Sequence, residues 1–301
     1  MNRFAFHAFF AVTLVLSSGA LSSGAGAQKT IPAPGGVKVQ NTGAAPLTAL
    51  RYAFKKGQQM KGKVQSDMTL AMTIGMQAMP KAEMPTVTQD LTLVVSEVDA
   101  AGNFHLDGEI KKVIVAKKGD PKMVTALETQ LKPLAGSKFF VTMTPRGAVV
   151  DARYDLPAGT QEQLRETLEG VVNGLKQVLP LLPEEPVGAG AEWSSQQKLK
   201  VSFADADQDA KFKLLNKRGD ICEIIVTVAQ RAGRQKVSLP GMQPGQTAEL
   251  TKLNGNAQGV TKVSLSKPGV RGDVRSDISM EISAQGQSMN MDMGVAMRFF
   301  F

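Results

Sequence analysis

Lys61-Gly62-Lys63-Val64-Gln65-Ser66-Asp67-Met68-Thr69-Leu70, running on through Ala71-Met72-Thr73-Ile74, is the stretch that decides the fold. Its apolar side chains fall on every second residue, the period of a half-buried strand. Near the other end of the chain, Arg271-Gly272-Asp273-Val274-Arg275-Ser276-Asp277-Ile278-Ser279-Met280 leads into Glu281-Ile282-Ser283 with the same alternation. Gly, Val, Ser and Asp coincide at a constant offset of 210 positions. The match predicts a mainly β protein: long antiparallel strands in an open barrel or sandwich, made of two related halves. It carries no chemistry by itself.

The front of the chain reads differently. Arg3, the apolar run Phe4–Leu16 and Ala25-Gly26-Ala27 have the order of a secretory signal peptide over residues 1–27. That predicts export to the periplasm or the extracellular space. No cysteine stands at the cleavage site, so a lipoprotein anchor is not expected. The net charge is +8, or +7 without Arg3. The basic excess is scattered, and the mature chain has one Trp and two Tyr, so the basic-and-aromatic composition of a nucleic-acid surface is missing. The charge reads first as a solvated basic surface, with contact to an anionic membrane surface or anionic polymer as the alternative. Cys222 is the only cysteine, which excludes an internal disulfide and predicts a small buried hydrophobe.

Working outward from the opening strand, residues 28–47 read as a flexible Gly/Pro/Ala leader and 48–182 as an N-terminal β half carrying two helices. Residues 183–190 read as a linker and 191–301 as a C-terminal β half. Met76–Pro85 reads as a loop, because Pro80 and Pro85 interrupt the alternation. The first helix starts at the Asp120-Pro121 cap and carries Val124, Leu127 and Leu131 on one face. The second has a capping box at Thr160 and Gln163 and an apolar stripe from Leu164 to Leu179. Separate strands are expected at 247–253 and 259–266.

Residues able to do catalysis are sparse. Of the two histidines, His7 leaves with the signal peptide, and alternation puts His105 on the polar face of its strand. There is no G-x-S-x-G elbow and no zinc spacing. Asp205-Ala206-Asp207-Gln208-Asp209 starts like a calcium loop, but Ala210 replaces its glycine. No enzyme and no cofactor is therefore expected.

The methionines are the remaining signal. Eleven of the fourteen beyond Met1 lie within residues 60–84 and 280–297. Met68, Leu70, Met72 and Ile74 share one strand face, and Met289, Met291 and Met293 share another. Two such rows could line a deformable cavity for a lipid or other hydrophobic ligand, since methionine is flexible and polarizable. They could equally fill a core, leaving a structural or interaction protein of the cell envelope without a small ligand. A third reading is Cu(I), which thioethers select. Against it, Met289, Met291 and Met293 recur at about 7 Å along a strand, too far apart for neighbours to share an ion.

Tyr52-Ala53-Phe54-Lys55-Lys56-Gly57-Gln58, the Met-alternating strand, Val98-Asp99-Ala100-Ala101-Gly102 and Gly190-Ala191-Glu192-Trp193 resemble a family of exported bacterial β-rich proteins of unknown function. The resemblance implies export and fold, and it transfers no catalytic residue. At fold level the pattern is also similar to the open half-barrels of periplasmic lipoprotein carriers.

Overall fold

The computed structural model describes residues 36–155, 179–201, 204–237, 248–284 and 286–301. The expected signal peptide and the helix expected from Thr160 fall outside them. Among the described residues the strands are β1 (Lys38–Asn41), β2 (Ala44–Thr48), β3 (Gln59–Ile74), β4 (Gln77–Ala78), β5 (Ala82–Val98), β6 (Phe104–Val115), β7 (Lys138–Met143) and β8 (Val149–Asp155). They continue with β9 (Val187–Ala189), β10 (Glu192–Val201), β11 (Ala204–Arg218), β12 (Ile221–Ala232), β13 (Gln235–Val237), β14 (Ala248–Ser264), β15 (Val270–Ala284) and β16 (Gln287–Phe300). Among the described residues a helix, α1 (Pro121–Leu131), and a 3-10 turn at Lys132–Leu134 interrupt them.

The main sheet is antiparallel, in the order β1-β10-β11-β12-β14-β15-β16-β3-β5-β6-β7-β8. It is a meander cut in an unexpected place: the last strand pairs with the first long one, Met289 opposite Ile74 through Phe300 opposite Lys63. The matched stretches that predict the fold, β3 and β15, are thus the two neighbours of β16. Being antiparallel to β16, they run in the same direction as each other. They do not hold equivalent places, since β3 opens its half and β15 is next to last in the other.

One face is buried along almost the whole order and the other is polar, as a single curved layer requires. Trp193 and Phe212 on β10 and β11 share a core with Phe104, Phe139 and Val149 on β6, β7 and β8, so the sheet bends round on itself. A strap completes the bend at one end. Trp193 Nε1 donates to Leu181 O at 2.7 Å, Tyr52 Oη donates to Pro180 O at 3.1 Å, and Leu182 N donates to Arg146 O at 2.9 Å. Trp193 stacks on Phe212 with centroids 5.7 Å apart. The terminal strands β1 and β8 do not pair with each other, so the barrel stays open.

Four expectations need correcting. Within the expected leader of 28–47, the described stretch from Lys38 is paired, because β1 pairs with β10 and β2 with β9. Residues 183–190 are not a free linker: Val187 is fully buried and β9 holds β2. The loop over 76–85 ends early, because β5 begins at Ala82 and absorbs Pro85 near a bulge in its pairing with β3. There proline's missing N–H is tolerated. Finally, β14 is one strand where two were expected. Its internal glycines make room, not turns: a Cβ on Gly255 would lie 2.9 Å from Gln230 Oε1, and one on Gly259 would run into the carbonyl of Asp273.

α1 forms as read. Asp120 accepts from Lys122 N at 2.9 Å, Pro121 takes the first turn, and Val124, Leu127 and Leu131 are buried. Trp193 is the largest fully buried side chain and also a hydrogen-bond donor to the strap. Replacing Trp193 by Ala should cost about 3–5 kcal/mol. The check is urea unfolding, read as a lower midpoint at unchanged slope.

Candidate functional site

The seven residues singled out from sequence all face the inner side of β3 and β16, but they lie beside one another in one sheet rather than across a space. The lateral rows, read β15-β16-β3, are Ile282-Met289-Ile74, Met280-Met291-Met72, Ile278-Met293-Leu70 and Ser276-Val295-Met68. Directly opposed residues in such a ladder have Cβ atoms about 4.5–5.5 Å apart, closer than successive inward residues along a strand. Leu70, Met72, Met291 and Met293 are buried, while Met68, Ile74 and Met289 are half-buried. Met68 packs on the larger core and the other six belong to a smaller one.

Sequence reasoning left Met280 out of the site. It is 1 % exposed and stands directly opposite Met291. Its alternation was legible in the Ser276–Ser283 stretch, and so was its place beside β16, because 271–283 and 288–300 read as a closing hairpin about Gln285-Gly286. Met79 was also left out. It joins the same smaller core half-buried, and its N–H donates to Met72 O at 2.8 Å.

A second feature lies at the strap end, about 40 Å along β3 from Met72 by the strand rise. Met60, Leu93, Leu106, Phe139, Val141 and Met143 line a cleft with Phe54, Leu179 and the Pro268-Gly269 turn. Every side chain in it is apolar. The void measures about 30 Å³, roughly one water's share of liquid volume and far below an ordinary ligand pocket. A longer occupant would have to push side chains aside, and Met60 and Met143 are the flexible ones. None of these residues stood out in the sequence, because each is an ordinary inward position until β5, β6 and β7 are paired.

The inner face also holds buried polar groups. Gln230 Nε2 donates to Gln208 Oε1 at 2.8 Å, while Gln89 Nε2 is buried without a hydrogen-bond partner. His105 is half-buried, with Nδ1 3.0 Å from Thr142 Oγ1. Asp205, Asp207 and Asp209 alternate on the exposed face of β11. Asp209 accepts from Gln196 Nε2 at 2.6 Å, and Asp205 is tied through its backbone to Gln235. At the strap end Asp220 accepts from Ser264 and Ser266, which holds its carboxyl below the usual range. Among the described residues, no group of three His, Cys, Asp or Glu side chains could hold a metal.

These features define a mainly β protein whose large antiparallel sheet forms an open barrel or sandwich with a mostly apolar inner face. No protein-family model and no curated protein matches the chain.

Cys222 is buried in the larger core, and burial pushes its thiol from an ordinary 9.0 to about 11. At pH 8 this lowers the reactive thiolate fraction about 100-fold relative to the unfolded chain. Ellman's reagent should therefore react with the native protein at least that much more slowly than in denaturant, and faster as the pH is raised.

Proposed function

We propose that this is an exported, non-enzymatic protein of the cell envelope that holds a hydrophobic ligand, a lipid acyl chain or a molecule of similar character, against the inner face of its open barrel. The observation that carries the reading is the cleft at the strap end: ten residues, none with a charged or polar side chain, on the concave side of a sheet whose edges are not joined. An apolar site of this kind selects by shape and length, not by hydrogen bonds. The signal-peptide pattern and the fold-level likeness to lipoprotein carriers point the same way. The Met-rich inner rows supply adaptable surface for a longer chain.

The small size of the void favours a second reading, an envelope protein that works through its surface and holds no small ligand. Mass spectrometry of protein purified from its native envelope under non-denaturing conditions separates the two, paired with displacement of a fluorescent fatty acid. The ligand reading expects a co-purifying lipid and saturable binding that Met143→Trp weakens at least tenfold by filling the cleft. No lipid and no saturable binding would leave the interaction reading standing.

A further inference from the structure

We propose that Met72, Met280 and Met291 form a binding site for a soft monovalent metal ion, Cu(I) or Ag(I). The site does not need the apolar ligand and lies at the opposite end of the barrel from the cleft.

Three adjacent strands each place one methionine at the same level, with Met280 opposite Met291 and Met291 opposite Met72. All three point to the inner face and are buried, at 1 %, 6 % and 5 % exposure. The outer two flank the central strand at about 5 Å on either side. Their long, flexible side chains can therefore bring three sulfurs over β16. Methionines spaced along one strand are about 7 Å apart and do this less well. The metal set lies across the strands, and Met-x-Met-x-Met on β16 contributes only its central member.

The surroundings select the ion. Thioethers are neutral and soft, so they favour Cu(I) over harder ions. Among the described residues no Asp or Glu is buried, and the buried polar side chains are neutral Gln, Ser and Thr. A divalent ion would bury two uncompensated charges there, a monovalent ion only one. Glu281 and Asp292, next in sequence to Met280 and Met291, face the opposite, solvent side of the sheet.

A way in is also present. Met76 is fully exposed at the β3–β4 tip, and Met79 is half-buried with its N–H on the carbonyl of Met72. Met79 packs on the same core as the three, beside the β3–β4 tip that faces solvent.

The test uses the mature chain carrying Cys222→Ala, so that no thiolate competes. Cu(I) is offered anaerobically against bicinchoninate, and Ag(I) is followed by native mass spectrometry. The expected result is one ion per chain. Met72→Leu/Met280→Leu/Met291→Leu should weaken retention at least 100-fold. Met60→Leu/Met143→Leu, at the cleft, should leave it unchanged. If the triple variant does not fold by circular dichroism, Met291→Leu alone should show at least a tenfold loss. X-ray absorption should find sulfur as the only ligand type. Failure to retain either ion overturns the proposal, as does undiminished retention by the methionine variants, equal loss in the cleft variant, or a nitrogen or oxygen ligand shell.

Discussion

Everything else in the structure depends on the backbone ladder between β16 and β3. Without it the two runs of strands, β3 to β8 and β10 to β15 with β16, would be separate sheets. Each would present a long, flat row of unpaired N–H and C=O groups. Unpaired backbone groups are costly when buried and invite aggregation when exposed. Pairing from Met289–Ile74 to Phe300–Lys63 removes two edges at once and makes one inner face out of two. It also creates the methionine rows, because only that register sets Met291 beside Met72.

The strap is the second constraint. A single twisted layer must cover its apolar face, and here it does so by bending until residues 180–184 bridge β10 and the β7–β8 turn. Trp193, Tyr52 and Arg146 hold that end: Trp193 and Tyr52 donate to carbonyls of 180–181, and Arg146 Nε donates to Leu182 O at 2.9 Å. Arg51 adds bonds to the carbonyls of Pro183 and Glu184, both at 2.9 Å. Tyr52 is buried enough that its phenol is held protonated well above the ordinary range, which suits a side chain acting as a donor. The barrel is thus tied at one end and left open along its edges.

Much of this was legible in the sequence. Alternation located β3, β5, β6, β15 and β16. Glycine-containing turns at Gly102, Gly147 and Gly219, each with positive φ, marked where hairpins reverse. Asp120-Pro121 marked the helix. What failed was anything decided at long range. Pairing across more than 200 residues leaves no local trace, so β3 could not be read as the second neighbour of β16, although 271–283 and 288–300 already read as a closing hairpin that sets β15 beside it. The break expected between 253 and 259 does not exist, because at Gly255 and Gly259 the neighbouring strands β12 and β15 approach too closely for side chains. The 28–47 stretch lacks periodicity because β1 and β2 are short and largely exposed, so they carry no core pattern to read. The cleft residues were invisible for the opposite reason: they look like every other inward position.

The β16–β3 ladder is tested most directly by an engineered disulfide. Ala71 and Asp292 are opposed partners whose side chains face outward, away from the core. In a Cys222→Ala background, Ala71→Cys with Asp292→Cys should form an intramolecular disulfide on mild oxidation, since opposed residues in a ladder sit within the Cα separation that a disulfide tolerates. The oxidised protein should unfold at a higher temperature than the reduced one. A pair that stays reduced, or that links only between molecules, would contradict the register on which the whole account rests.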